Sequence, residues 1–172
     1  MKIHIPPFAA AVIGKLCADG YEAYAVGGCV RDTMLGRAPN DWDVTTSALP
    51  ETTLSLFSCA DGFKAVPTGI AHGTVTVISG GEPVEVTTFR ADLGYSDSRH
   101  PDGVRYLDTL RGDLARRDFT VNAMAYSPTR GFADPFGGRE DLRNHVLRAV
   151  GDPEARFRED SLRILRGVRF AA

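Results

Sequence analysis

The sequence predicts an α+β fold: a mixed sheet of about five strands flanked by helices, followed by a helical extension. Three observations carry this. Residues 21–46 read as strand, glycine turn, helix and strand. Residues 72–90 read as a β-hairpin. The last third of the chain is rich in arginine and ends on a stretch of helical period. At 172 residues and 43% apolar content, the chain is long enough for one good-sized domain, or for a domain and the start of another.

The elements follow in order. Residues 7–19 form a helix: Pro7 suits its first position, Phe8, Ala9, Val12, Ile13 and Leu16 make an apolar stripe, and Gly20 follows the end. A strand over residues 21–26 leads into Gly27 and Gly28. A short helix over 29–35 is closed by Gly36 and carries Arg31 and Asp32 on its first turns. A glycine turn before a helix lets a phosphate approach backbone N–H groups where the helix dipole favours an anion, and Arg31 is in reach of such a phosphate.

Residues 41–46 form the next strand, with Asp41 and Asp43 either side of Trp42. Alternate strand residues share a face, so the two carboxylates lie side by side as hard oxygen ligands for one or two Mg²⁺ ions. Ser47 is a candidate N-cap for a helix over 50–57. In the hairpin, arms 72–79 and 83–90 flank Gly80 and Gly81. Val75 and Val77 alternate in one arm, Val84 and Val86 in the other. Glu85 therefore faces away from the valines, with Thr87 and Phe89, and becomes a third carboxylate if the hairpin lies beside Asp41 and Asp43. Residues 91–103 are polar and turn-rich and read as a mobile loop.

Residues 110–116 form a short helix. In the run Arg116-Arg117-Asp118-Phe119-Thr120-Val121-Asn122-Ala123, Asp118 or Thr120 caps the next helix, and residues 134–138 form a turn. The final stretch, 156–170, reads as one helix. At 100° per residue, Asp160, Arg163, Arg166 and Arg169 make a winding polar stripe opposite Leu162, Leu165 and Val168. Gly167 costs that helix about 1 kcal/mol against alanine and marks a bend.

Net charge is −2, but it is uneven: residues 1–110 hold 8 basic and 13 acidic groups, residues 111–172 hold 12 and 9, and all 12 basic groups are arginine. Arginine suits flat, bidentate recognition of phosphates and bases. There is no stretch of eighteen apolar residues and no signal-peptide pattern, which predicts a cytoplasmic protein without a membrane partner. Cys17, Cys29 and Cys59 are far apart, lack metal-ligand spacing, and read as reduced, mostly buried thiols.

Taken together, the glycine turn with Arg31, the Asp41–Asp43 pair, the Glu85-Val86-Thr87-Thr88-Phe89 run, the Arg116-to-Ala123 run and the Glu159-Asp160-Ser161-Leu162-Arg163 run resemble, in order, the head of class II tRNA nucleotidyltransferases and bacterial poly(A) polymerases. These belong to the polymerase-β-like nucleotidyltransferase superfamily. The resemblance spans essentially the whole chain; Trp42, Cys29 and Gly167 are its departures.

It implies a catalytic head over 1–138 and the start of a helical neck over 139–172, with the chain cut short inside its last helix. It implies Asp41, Asp43 and Glu85 as catalytic carboxylates, and Asp41 and Asp43 as ligands of two Mg²⁺ ions. Gly28 and Arg31 would hold the phosphates, with Gly27 and Asp32 beside them. Arg117 would hold the sugar-phosphate portion, with Asp118 and Asn122 positioning the ribose edge or the motif itself. Asp160 and Arg163, next to Glu159, would read the base, supported by Arg166 and Arg169. The implied substrates are CTP, ATP and the 3′ end of tRNA, the tRNA being gripped mainly by regions outside this chain. The implied reaction adds C, A or CCA and releases pyrophosphate; the full-length 91–103 loop favours an enzyme able to add A. A poly(A) polymerase and a non-catalytic nucleotide- or RNA-binding head are the alternatives.

Overall fold

The computed structural model describes residues 3–58, 60–96, 99 and 101–171. Helix α1 (Pro7–Ala18) buries Ala9, Val12, Ile13 and Leu16, the expected stripe, with proline at its start. Strand β1 (Ala23–Val26) runs into α2 (Gly28–Met34), and β2 (Asp43–Thr46) into α3 (Pro50–Ser58). Three strands follow: β3 (Phe63–Gly69), β4 (Thr74–Ser79) and β5 (Glu82–Thr88). β4 and β5 form the expected hairpin, Val75 opposite Val86 and Val77 opposite Val84.

The main sheet has seven strands in the order β3-β4-β5-β2-β1-β8-β9, the last two being Ala125–Ser127 and Gly131–Ala133. β2 and β5 are parallel; every other neighbouring pair in it is antiparallel. The sheet is wider than the expected five strands because its outer members lack a clean period-two signal. β3 carries Pro67 and is half-exposed along its length, while β8 and β9 have three residues each.

Side-chain alternation sorts the two faces. Ala23, Ala25, Val44, Val75, Val77, Val84 and Val86 join α1 and Phe57 of α3 in the larger core. Each large side chain buried there contributes about 1.5–3 kcal/mol. Tyr24 and Val26 face the other way, into a second cluster with Phe89, Leu114 and Val150. Asp43, Thr45, Glu85 and Thr87 lie out of phase with Val44, Val84 and Val86, on this second face. Ser47 does not cap α3: its hydroxyl accepts from the Glu22 N–H at 2.9 Å and ties the ends of β1 and β2 together.

The turn-rich stretch after β5 holds a second, two-stranded sheet. β6 (Arg90–Leu93) pairs antiparallel with β7 (Gly103–Tyr106), so the loop is shorter than expected. Of that loop, Asp97, Ser98 and His100 lie outside the described residues, as does Cys59. Then come α4 (Leu110–Ala115) and a 3₁₀ turn over Thr120–Asn122, which stands where a capped α-helix was expected. After β9, α5 (Gly138–Arg143) precedes α6 (Pro153–Glu159) and α7 (Leu162–Ala171). No helix among the described residues is long and apolar enough to cross a membrane.

Candidate active site

The site grows from the turn between β1 and α2. Gly27 has φ 78° and ψ −130°, a conformation that L side chains rarely adopt. A Cβ there would also stand 3.0 Å from Arg117 Nη1, so the turn and the arginine need glycine for two separate reasons. The Gly27 N–H donates to the Met124 carbonyl at 3.1 Å, which fixes the turn against the segment following the 3₁₀ turn.

Beside it stands the acidic pair. Asp43 opens β2, whereas Asp41 lies in the segment before it, shortening the expected strand by two residues. The ladder stops there because β1 ends at Val26 and turns into α2, and β5 offers Pro83, with no N–H, two positions before Glu85. Both carboxylates nonetheless line the same cavity, with Trp42 buried between them. Glu85 is in register opposite Asp43 on the parallel neighbour β5; it is exposed and does not line the cavity. Burial pushes the Asp43 carboxyl above its ordinary pKa, Arg117 pulls it down, and Glu85 and Asp41 push it up again. Among the described residues, no group of three or more His, Cys, Asp or Glu is arranged to hold a metal ion. A pair of carboxylates is nevertheless the donor set that suits Mg²⁺, which usually completes its shell with water and substrate phosphates.

The arginine run packs against this pair through a residue that the sequence reading passed over. Asp113 of α4 is fully buried. It accepts from Thr45 Oγ1 on β2 (3.0 Å), the Arg90 N–H (3.3 Å), Arg116 Nε (3.0 Å) and Arg117 Nη2 (3.5 Å). Burial pushes its pKa up, but Arg116 and Arg117 outweigh this and hold it below the usual carboxylate range. Arg117 Nε is buried with no hydrogen-bond partner among the described residues. Asp118 accepts from the Phe119 N–H (2.8 Å), Asn122 Nδ2 (3.0 Å) and Arg166 Nε (2.8 Å). Thr120 donates to Asp141 at 2.7 Å instead of capping a helix.

The C-terminal stretch is not one helix. Asp160 has φ −140° and ψ 105°, which ends α6, and its Oδ1 accepts from the Leu162 N–H at 2.9 Å, so it caps α7 instead. Arg163 is 6% exposed and donates to Glu159 Oε2 (2.8 Å), the carbonyls of Arg156 (3.1 Å) and Arg116 (3.3 Å), and Tyr95 OH (3.4 Å). Its Nε lies 4.0 Å from Asp160 Oδ2. Gly167 marks a close approach, not a bend: a Cβ there would stand 3.3 Å from Phe119 Cζ, and α7 runs unbroken through it.

These parts enclose one cavity of about 480 Å³. It gathers Asp41, Asp43, Gly27, Gly28, Arg31, Asp32, Arg117, Asp118, Asn122, Asp160, Arg163, Arg166 and Arg169. Glu85 and Glu159 stand outside its lining, Glu159 being engaged with Arg156 and Arg163. Cys29, Asn40, Asp92, Arg116 and Phe170 also line it, although the sequence reading assigned none of them a role at the site. Asp92 had the weakest signal, since nothing local marks a loop carboxylate as the partner of Arg90, Arg116 and Tyr95. Burial and the Asp92 charge push the Tyr95 hydroxyl up to about 12. Six arginines and six aspartates share the lining. Anion binding there therefore depends on which pairs are already satisfied, not on net charge.

Residues 23–148 match the family model described as poly A polymerase head domain. The chain is 53% identical over 161 residues to the CCA-adding enzyme of Lactobacillus helveticus (strain DPC 4571), covering 94% of the chain and 39% of that relative. It is 48% identical over 169 residues to the CCA-adding enzyme of Geobacillus stearothermophilus, covering 97% and 41%. It thus spans about two fifths of the length of these relatives. Among solved structures, the Bacillus stearothermophilus CCA-adding enzyme in complex with CTP superposes with a TM-score of 0.84 at 44% identity, over 96% of this chain and 39% of that one. The Thermotoga maritima CCA-adding enzyme complexed with tRNA-CCA superposes with a TM-score of 0.75 at 26% identity, over 99% and 41%.

Proposed function

The chain belongs to the poly A polymerase head-domain family, and on that footing we propose that it is the nucleotide-transferring part of a CCA-adding enzyme. Such an enzyme joins C and A from CTP and ATP to the 3′ end of tRNA and releases pyrophosphate. The observation that carries this reading is the convergence, on one nucleotide-sized cavity, of the acidic pair, the glycine turn, Arg117 and the start of α7.

In this reading Asp41 and Asp43 would hold Mg²⁺, and Glu85, opposite Asp43 but outside the cavity lining, acts on that pair through its charge. When bound, the metal lowers the pKa of the attacking 3′-OH and offsets charge on the triphosphate. Every other part falls to the protein's own side chains. Gly28 and Arg31 hold the phosphates, with Gly27 and Asp32 shaping that end. Arg117, seated by Asp113, holds the sugar-phosphate portion, and Asp118 and Asn122 hold the arginines that flank it.

Asp160 and Arg163 read the base, with Arg166 and Arg169 in support. On their Watson–Crick edges C and A both present an amino group next to a ring acceptor nitrogen, which a carboxylate and a guanidinium can match; U and G carry a ring N–H at that position instead. Arg163 must exchange one of its present contacts to do so, and the one to Tyr95 is the longest, at 3.4 Å. We assign residues 1–138 to the catalytic head and 139–172 to the start of the neck, and place the protein in the cytoplasm with tRNA as its partner.

The test is Asp41→Ala in the full chain, assayed with CTP and ATP singly on tRNA ends lacking CCA, CA or A. Loss of transfer is expected; retained transfer refutes the reading. Incorporation of A without C on all three ends, not only on the end lacking the last A, would instead identify a poly(A) polymerase.

A further inference from the structure

Four side chains and one ring close a circuit on the wall of the cavity. Arg31 on α2 donates from Nη1 to Asn122 Oδ1 at 2.5 Å. Asn122 Nδ2 donates to Asp118 Oδ1 at 3.0 Å, and Asp118 Oδ2 accepts from Arg166 Nε on α7 at 2.8 Å. The circuit returns through Phe170: the Arg166 guanidinium carbon lies 5.6 Å from the ring centroid, and that of Arg31 lies 4.8 Å from the same centroid.

Two cations share one ring. An aromatic face carries partial negative charge and attracts guanidinium groups, which eases their mutual repulsion. Asp32 pairs with Arg31 and Asp118 pairs with Arg166, each neutralising one cation. Phe170 touches both. Phe119 shares in seating it, meeting it edge-on at 5.9 Å and 88°, and α7 approaches Phe119 closely at Gly167, where there is no side chain. The ring thus stands between the α2 end of the cavity and the α7 end, held in part by the arginines of both.

We propose that Phe170 is a positioning residue that couples the phosphate side of this cavity to its base side. A ligand that engages Arg31 steadies the ring, and the ring steadies Arg166 one helical turn away. This rests on the nucleotide-transfer reading of the same cavity.

The test uses the full chain and three ligands: CTP, inorganic tripolyphosphate, and cytidine, which has no phosphate. Phe170→Leu keeps an apolar side chain but removes the aromatic face, whereas Phe170→Tyr keeps the face. CTP binding is expected to weaken about tenfold in Phe170→Leu and to recover in Phe170→Tyr. The KM for CTP should rise with it while kcat changes less. Arg31→Gln should weaken cytidine binding in the wild-type background, although cytidine offers nothing to Arg31, and should do so much less in Phe170→Leu. Unchanged CTP affinity in Phe170→Leu, or unchanged cytidine affinity in Arg31→Gln, overturns the coupling. The Arg31 measurement stands even where Phe170→Leu does not fold. A wild-type chain that binds neither CTP nor tripolyphosphate overturns the nucleotide-transfer reading as well, whereas binding that ignores Phe170 overturns the coupling alone.

Discussion

Asp43 and Glu85 stand opposite one another across the parallel β2–β5 pair. They are 42 residues apart in sequence, yet the charge of one raises the pKa of the other. Replacing Glu85 by Gln should lower the pKa of Asp43 in the metal-free protein, as read by carbon-detected NMR titration of the carboxyl. An unmoved Asp43 titration would show that the two groups are insulated from each other.

The same burial makes Asp43 costly when no metal is present. A carboxyl whose folded pKa exceeds its unfolded one favours folding at low pH, and that contribution is lost as pH rises through the folded pKa. Asp43→Asn should therefore raise the metal-free melting temperature at neutral pH, by roughly 2–4 °C for each kcal/mol relieved. Transfer activity should be abolished in the same variant. Calorimetry with chelator present checks the first part.

Asp113 behaves in the opposite sense. Its folded pKa lies below the unfolded one, so its stabilisation is present above about pH 4 and is lost as pH falls through the folded value. Asp113→Ala should cost about 3–5 kcal/mol at neutral pH, because it leaves Arg116 and Arg117 close together without their shared carboxylate. It should also flatten the acid limb of the stability profile. Urea unfolding at several pH values between neutrality and the acid limb measures both effects.

Gly27→Ala combines a disfavoured backbone conformation with a contact on Arg117. About 1–3 kcal/mol of stability should be lost. Triphosphate affinity should fall further than stability alone accounts for, since Arg117 must move. Titration with tripolyphosphate beside a melting curve separates the two.

Burial pushes the Cys29 thiol up to about 11, and its Sγ donates to the Val26 carbonyl at 3.3 Å. Cys17 is only half-buried. Under native conditions an alkylating reagent at neutral pH should label Cys17 before Cys29, which should react only after unfolding. Mass spectrometry of the labelled peptides decides it.

Much of this site was legible because its chemistry is written in short local patterns. The strand–glycine–helix run placed Gly27 and Arg31 correctly, and period-two alternation put Glu85 on the face away from Val84 and Val86. Asp113 was not legible: in Leu110-Arg111-Gly112-Asp113 it looks like any surface helix carboxylate, and its burial comes from β2 and β6, which are distant in sequence. Phe170 was hidden for the same reason, since an aromatic in an amphipathic helix reads first as core packing. The break at Asp160 had a local signal, an aspartate two residues before the helix N–H it caps, but the strong helical period on both sides masked it. β6 and β7 have four residues each beside glycines, too few to show alternation.

That break gives the two members of the Asp160–Arg163 pair different mechanical standing. The arginine is anchored at several points within a rod; the acid sits at the joint between two rods, its N–H bonded back to the Arg156 carbonyl and its carboxylate forward to the Leu162 N–H. Lengthening the acid arm, as in Asp160→Glu, alters the pair and the cap of the rod that carries its partner together. Pair geometry at this corner of the molecule is accordingly tied to the seam between two rods, so a change at Asp160 also resets where the second rod begins.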